Sequence, residues 1–141
     1  SFIDVAKREG AGALLGWFQT TKRFDRTLRG MEITSLGSGE VECVLEVGER
    51  VMNAFGTLHG GAIATIVDVV GTLALLSSSP TTPGVSIDLN VSFARAAPGG
   101  SKVRIEGKLL KLGKKLAFTE VSLYDKDSGK LIATGRHTKS L

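Results

Sequence analysis

The residue types best able to do chemistry in this 141-residue chain gather in Asn53-Ala54-Phe55-Gly56-Thr57-Leu58-His59-Gly60-Gly61, followed by an apolar segment that carries Asp68. His59-Gly60-Gly61 stands where a helix opens. Free backbone N–H groups at a helix start can bind an oxyanion, and glycine lets a carbonyl approach them. Each residue also has a plainer reading. The glycine pair alone is more simply a tight turn or a packing device, His59 a cap or orienting group, and Asn53 a turn residue. On the helix, Gly61, Ala64, Thr65, Asp68, Gly71 and Thr72 share one face, a stripe of small side chains around one carboxylate. Asp68 lies past the first turn, where the helix dipole would favour it. Desolvated there, it becomes a better base. Periodicity alone leaves that role level with a hydrogen bond from Asp68 to a hydroxyl or backbone group across a dimer interface. Gly60 and Asp68 are eight residues apart, hence roughly 12 Å apart along one helix. They cannot touch the same reacting carbonyl, so a site using both must join Gly60 of one subunit to Asp68 of another.

The elements that must position these groups follow from hydrophobic period. Residues 1–30 mix helix formers with Gly10, Gly12 and Gly16, and Leu14, Leu15, Phe18 and Phe24 fall near helical spacing, which predicts an irregular, partly helical arm. Met31 to Leu36 reads as a strand, turned by Gly37-Ser38-Gly39 into a second in which Val41, Cys43, Leu45 and Val47 alternate with glutamates. Cys43 takes the apolar parity, and a small buried filler outweighs a catalytic thiol there. His59 to Ser78 is apolar on nearly every side, the pattern of a helix buried all round, and Pro80 and Pro83 stop it. Val85, Ile87, Leu89, Val91 and Phe93 then alternate with Ser86, Asp88, Asn90 and Ser92. Pro98-Gly99-Gly100 makes a turn. Strands around Val103 to Leu109, Leu116 to Tyr124 and Leu131 to Thr138 complete the chain, the last two joined by a turn at Asp125 to Gly129. The order predicts an α+β domain, four strands in succession forming one antiparallel sheet with a helix laid across it. One sheet face cannot cover a helix apolar on all sides. A second copy of the chain is the simplest further layer, which makes the protein a dimer at least.

Composition bounds the partners. The length allows one domain, and the single cysteine excludes an intrachain disulfide and a cysteine-based metal cluster. No stretch reaches the roughly 18 consecutive apolar residues of a spanning helix, and the longest near-apolar run, Ala62 to Leu76, carries Asp68 in its middle. The start has no signal-peptide pattern. It begins at Ser1 and ends Lys139-Ser140-Leu141, which is not a peroxisomal address. Cytoplasmic and organellar locations (mitochondrial, plastid or peroxisomal) stay open. Charge is uneven: residues 1–94 hold 7 basic and 10 acidic side chains, and residues 95–141 hold 11 and 4. This points to an anionic partner: nucleic acid, acidic membrane or a phosphorylated small molecule. Phe118 and Tyr124 are the only aromatics of the basic third, and no stacking platform for nucleic acid is present.

Taken together, Asn53 to Asp68, Gly84-Val85-Ser86-Ile87-Asp88-Leu89-Asn90, Gly113-Lys114-Lys115-Leu116-Ala117-Phe118 and Gly135-Arg136-His137-Thr138-Lys139 closely resemble the hotdog-fold acyl-coenzyme A thioesterases. The resemblance covers residues 14–141 as a single domain and leaves 1–13 as an N-terminal extension. It implies an antiparallel sheet wrapped around one long central helix, a dimer with a continuous sheet, and a homotetramer of two dimers. It also implies hydrolysis of a fatty or aryl acyl-coenzyme A, with no cofactor or metal. The family's thioester carbonyl is polarised by positions matching Asn53 and the Gly60 N–H, with His59 secondary, and its water is activated by positions matching Asp68 and Ser86. Coenzyme A contacts match Ser86, Asp88, Phe93, Lys111, Gly113, Lys114, Lys115 and Leu116. Related chains can carry Tyr where Phe93 stands, so a hydroxyl is missing there. The same fold also hosts non-catalytic acyl-coenzyme A or acyl-carrier binders, against which the retention of Asp68 argues. Strict alternation sets Ser86 opposite to Val85 and Ile87, so it reaches a cleft only if that polar face is not bulk solvent.

Overall fold

The alternating segments form six strands in the computed structural model, which describes residues 9, 10, 12–20 and 22–141. They are β1 (Glu32–Gly37), β2 (Glu40–Glu46), β3 (Val85–Phe93), β4 (Lys102–Leu112), β5 (Leu116–Asp125) and β6 (Leu131–Ser140). Two α-helices accompany them, α1 (Gly12–Thr20) and α2 (Gly60–Ser78), with short 3-10 turns at Phe24–Leu28 and Glu49–Val51. The strands make one antiparallel sheet in the order β1-β2-β4-β5-β6-β3. It curls around α2, which touches β2, β3, β4, β5 and β6. This is the expected α+β hotdog arrangement.

Two expectations are corrected. First, the last four strands are not neighbours in succession. Only β4, β5 and β6 form a meander, while β3 lies at the far edge beside β6. Residues 94–101 lead from that edge back to mid-sheet, so Pro98-Gly99-Gly100 belongs to a crossing connection. Second, α2 needs no second copy to cover it. Twelve of its 19 residues are buried in the single chain, because the sheet curls round it and α1 and the Phe24–Leu28 turn close the open side. Leu15 of α1 is buried, and the Gln19 side-chain amide donates to the carbonyls of Leu28 and Met31. The side chains of Leu14 and Phe18, and most of the 1–13 extension, lie outside the described residues. By length and hydropathy α2 would suit a membrane span, yet 67% of its apolar window is buried inside the fold. It is the core helix.

Among the strands, β3 carries the most exposed apolar side chains. Eight of its nine residues are exposed, with Val85 at 72%, Ile87 at 59% and Phe93 at 60%. An edge strand with open hydrogen-bonding groups and apolar side chains is a template for another strand.

Part of the glycine excess has a packing cause. A Cβ at Gly71 would lie 2.6 Å from Thr119 Oγ1, one at Gly107 2.7 Å from a Val70 methyl, and one at Gly135 2.6 Å from the Asn90 carbonyl oxygen. Helix and sheet therefore meet closer than side chains allow. Gly135→Ala should cost about 1–3 kcal/mol through overpacking against Asn90 and Val67. A urea titration reads this as a lowered midpoint, and an unchanged midpoint would contradict it.

Candidate active site

Asn53 stands in the loop leading to α2 and is held by its own carbonyl oxygen. Oδ1 accepts from the N–H groups of Phe55 (2.9 Å) and Thr57 (3.1 Å), an Asx-type turn. That fixes the amide plane. Nδ2 donates to Thr57 Oγ1 at 2.8 Å, and its second N–H has no acceptor among the described residues. The loop is pinned in turn by the 94–101 connection: Leu58 N–H donates to the Ala97 carbonyl and Gly99 N–H to the Gly56 carbonyl, both at 2.8 Å. The approach is close: a Cβ on Gly99 would lie 2.7 Å from Met52 Sδ and 3.2 Å from the Gly56 carbonyl oxygen.

His59 caps α2. Its Nδ1 accepts from the Gly61 N–H at 2.8 Å, so in the neutral ring the proton sits on Nε2. With Gly61 satisfied, the Gly60 N–H at the first helical position has no acceptor among the described residues. Phe93 lies against this helix start, its ring 3.4 Å from where a Gly60 Cβ would be. Asn53, His59, Gly60 and Phe93 thus form one cluster, at the end of β3 where that strand leaves the sheet.

A second cluster lies near the other end of β3. Ser86 pairs with Lys139, yet Asp88 pairs with Thr138, so Ile87 is an extra residue, a β-bulge. The bulge reverses the parity. Ser86 shares the inner face with Leu89, Val91 and Phe93, whose partners are His137, Gly135 and Ala133. The bulge turns Ser86 onto the face of His137, where in the single chain it is still exposed. Its Oγ lies 2.6 Å from His137 Nε2, and the same nitrogen is 3.8 Å from Asp68 Oδ1. Asp68 and Ser86 therefore flank one imidazole.

Sequence reasoning gave no role to His137 or to Lys139, although both take the buried parity of β6. His137 is 0% exposed and Lys139 5%. The Lys139 ammonium donates to Thr72 Oγ1 (2.9 Å), which donates to the Asp68 carbonyl (2.8 Å). Burial pulls the Lys139 ammonium below its ordinary range, against the pull of the Asp68 carboxylate. Burial and the Lys139 charge likewise hold the His137 imidazole below its usual range, with the Asp68 and Asp88 carboxylates and the Asp68 backbone carbonyl opposing. Their signal in the sequence was parity alone: His137 and Lys139 continue the odd-numbered series of Ala133 and Gly135.

The remaining sequence-predicted residues fall elsewhere. Asp88 is on the opposite face from Ser86, where it accepts from Asn90 Nδ2 at 3.1 Å. The bulge separates the two. Lys111, Lys114 and Lys115 are exposed on the β4–β5 hairpin, with Gly113 and Leu116 closing its tip through a 2.8 Å bond from the Gly113 N–H to the Leu116 carbonyl. Leu116 pairs with Ser140 and Ser140 with Val85, so this basic tip stands at the Ser86 end of the sheet. Asp68 departs from expectation in one respect. Its side chain is 52% exposed in the single chain, so only a further surface would desolvate it. Cys43 is fully buried, and burial reinforced by the Glu42 carboxylate pushes its thiol up to about 12, which fits an inert filler.

A six-stranded antiparallel sheet curled around one long helix is the hotdog fold of the thioesterases. The family model described as Thioesterase superfamily matches residues 55–132, and the chain belongs to that family. It is a thioester hydrolase. It is 47% identical to acyl-coenzyme A thioesterase 13 of Homo sapiens over 120 residues, 85% of this chain and 86% of that protein. Among solved structures, zebrafish thioesterase superfamily member 2 superposes with a TM-score of 0.90 at 42% identity, covering 94% of this chain and 96% of that one. The Mus musculus thioesterase superfamily member 2 gives 0.83 at 41% identity, covering 92% and 96%.

Proposed function

We propose that this protein hydrolyses fatty or aryl acyl-coenzyme A thioesters to the free acid and coenzyme A, at a site shared by two copies of the chain. The observation that carries this reading is the division of the chemistry into two clusters at opposite ends of β3. Asn53, His59, Gly60 and Phe93 stand at one end, and Asp68 with Ser86 at the other. Ser86 and Phe93 are seven residue steps apart along the strand, about 23 Å. Antiparallel pairing of two exposed β3 edges about a twofold axis sets the Phe93 end of one copy beside the Ser86 end of the other. Each dimer then has two complete sites, and the exposed Val85 and Ile87 are covered. Two such dimers make the homotetramer of the family.

In each site the Gly60 N–H and the unspent Asn53 Nδ2–H polarise the thioester carbonyl and receive the oxyanion. Asp68 takes a proton from water, and Ser86 holds that water. His59 has the secondary part of holding the helix start, through its bond from the Gly61 N–H. Lys111, Lys114 and Lys115 meet the coenzyme's phosphates, an anionic target of the size the basic third can serve. Water and the chain's own groups suffice, so no cofactor or metal enters.

Thiol release measured across short, medium, long and aromatic acyl-coenzyme A esters tests the reading. Turnover of at least one class is the expected result. Tight binding of these esters with no thiol release from any of them would replace the hydrolase reading with that of an acyl-coenzyme A binder.

A further inference from the structure

Within the proposed site, His137 has no role in the chemistry so far described, yet it is the most buried ionisable side chain in contact with it. Its backbone is fixed from β5, where Thr119 Oγ1 donates to the His137 carbonyl at 2.9 Å. The absence of a side chain at Gly71 leaves room for the ring against α2. Nδ1 has no hydrogen-bond partner of ordinary geometry among the described residues, whereas Nε2 has Ser86 Oγ at 2.6 Å and Asp68 Oδ1 at 3.8 Å. The ring is thus aimed at the two residues assigned to the water.

A water poised for attack has two protons to place. One goes to Asp68. The other must be accepted by Ser86 Oγ, which leaves the serine's own proton needing an acceptor. We propose that His137 is the positioning residue of this site: its Nε2 accepts the Ser86 hydroxyl proton, turning the serine's lone pairs toward the water held at Asp68. This rests on the reading that Asp68 and Ser86 handle the water. The charged groups on the ring's side are Lys139 on its own strand and Asp68 on α2, and the Asp88 carboxylate acts on it from the other face of β3. From β5 it meets the uncharged Thr119. Lys139, 5% exposed, opposes a second positive charge beside it and keeps the ring neutral; with the proton on Nδ1, Nε2 is then the acceptor. A protonated ring would instead donate to Ser86 Oγ and reverse the hydroxyl.

The test compares kcat and KM of Ser86→Ala, His137→Phe, His137→Gln, His137→Asn and the Ser86→Ala/His137→Phe double variant, with Asp68→Asn as reference. His137→Phe should lower kcat at least about tenfold, the worth of one oriented hydrogen bond, with KM little changed. The double variant should be no slower than the slower single one, since residues acting as a unit are not additive. Gln carries an acceptor near the Nε2 position and should restore most of kcat. Asn places its acceptor near Nδ1 and should not. If the Phe variant fails to fold, the Gln and Asn pair alone decides, with equal rates in the two overturning the proposal. A full kcat for His137→Phe, or a loss that multiplies with that of Ser86→Ala, would also overturn it. Full activity of Asp68→Asn or Ser86→Ala would overturn the water reading beneath it, a distinguishable result.

Discussion

Asp68→Asn should lower kcat by about 10²–10⁴-fold, the usual contribution of a general base, while KM stays within a fewfold of the starting protein. The substitution keeps the shape of the side chain and removes only its ability to accept a proton. The exposed lysines of the hairpin assigned to the coenzyme are untouched by the substitution, so ground-state binding should be spared. The loss then appears in kcat and in kcat/KM alike, as expected for an interaction made only in the transition state. A variant turning over at a near-normal rate would remove Asp68 from the mechanism. Direct attack by the carboxylate, giving an anhydride, predicts a similar loss. Single turnover in oxygen-18 water separates the two, because only the anhydride route carries label into the enzyme.

What the sequence disclosed of this site, and what it withheld, follows from the range of each interaction. The helix start at His59 and the nine-residue alternation of Val85 to Phe93 are local patterns, and both elements form where the pattern sets them. The spacing of Gly60 and Asp68 is fixed by helix geometry, so their separation was legible without any tertiary knowledge. The bulge at Ile87 was not, because it exists only in the register with β6. Without it, Ser86 has the wrong parity for the inner face and Asp88 stays on a face with Ser86. Strand order was equally hidden, since nothing local to β3 says that its neighbour is β6. His137 and Lys139 were missed for a different reason. Polar side chains in a strand read as the solvent face, and only packing against Gly71 and Thr72 turns them inward. The apolar character of α2 was read correctly but given the wrong consequence. The curled sheet and the N-terminal arm cover the helix, and β3 carries the surface a second copy would bury.

Mixing two inactive variants should restore activity. In a shared site, Asn53→Ala disables the oxyanion half contributed by one subunit, and Asp68→Asn disables the base contributed by the other. A mixed dimer then pairs one doubly damaged site with one in which both Asn53 and Asp68 are intact. Random exchange of equal amounts makes half the dimers mixed, and half their sites whole, so recovery should approach about a quarter of the starting activity. The geometry permits no equivalent recovery if each site lies within one subunit, because every such site would carry one lesion. Intrasubunit assembly is opposed by α2 itself, which runs unbroken from Gly60 to Ser78 and holds Gly60 about 12 Å from Asp68 along its axis. A loop could bend to close that gap, but a buried helix cannot without losing the contacts of Ile63, Ile66 and Val67 with the core. Activity should therefore rise only as subunits exchange, on the timescale of dimer dissociation, and a cross-link formed within each homodimer before mixing should prevent it. Exchange verified by mass labelling with no recovery would exclude the shared site.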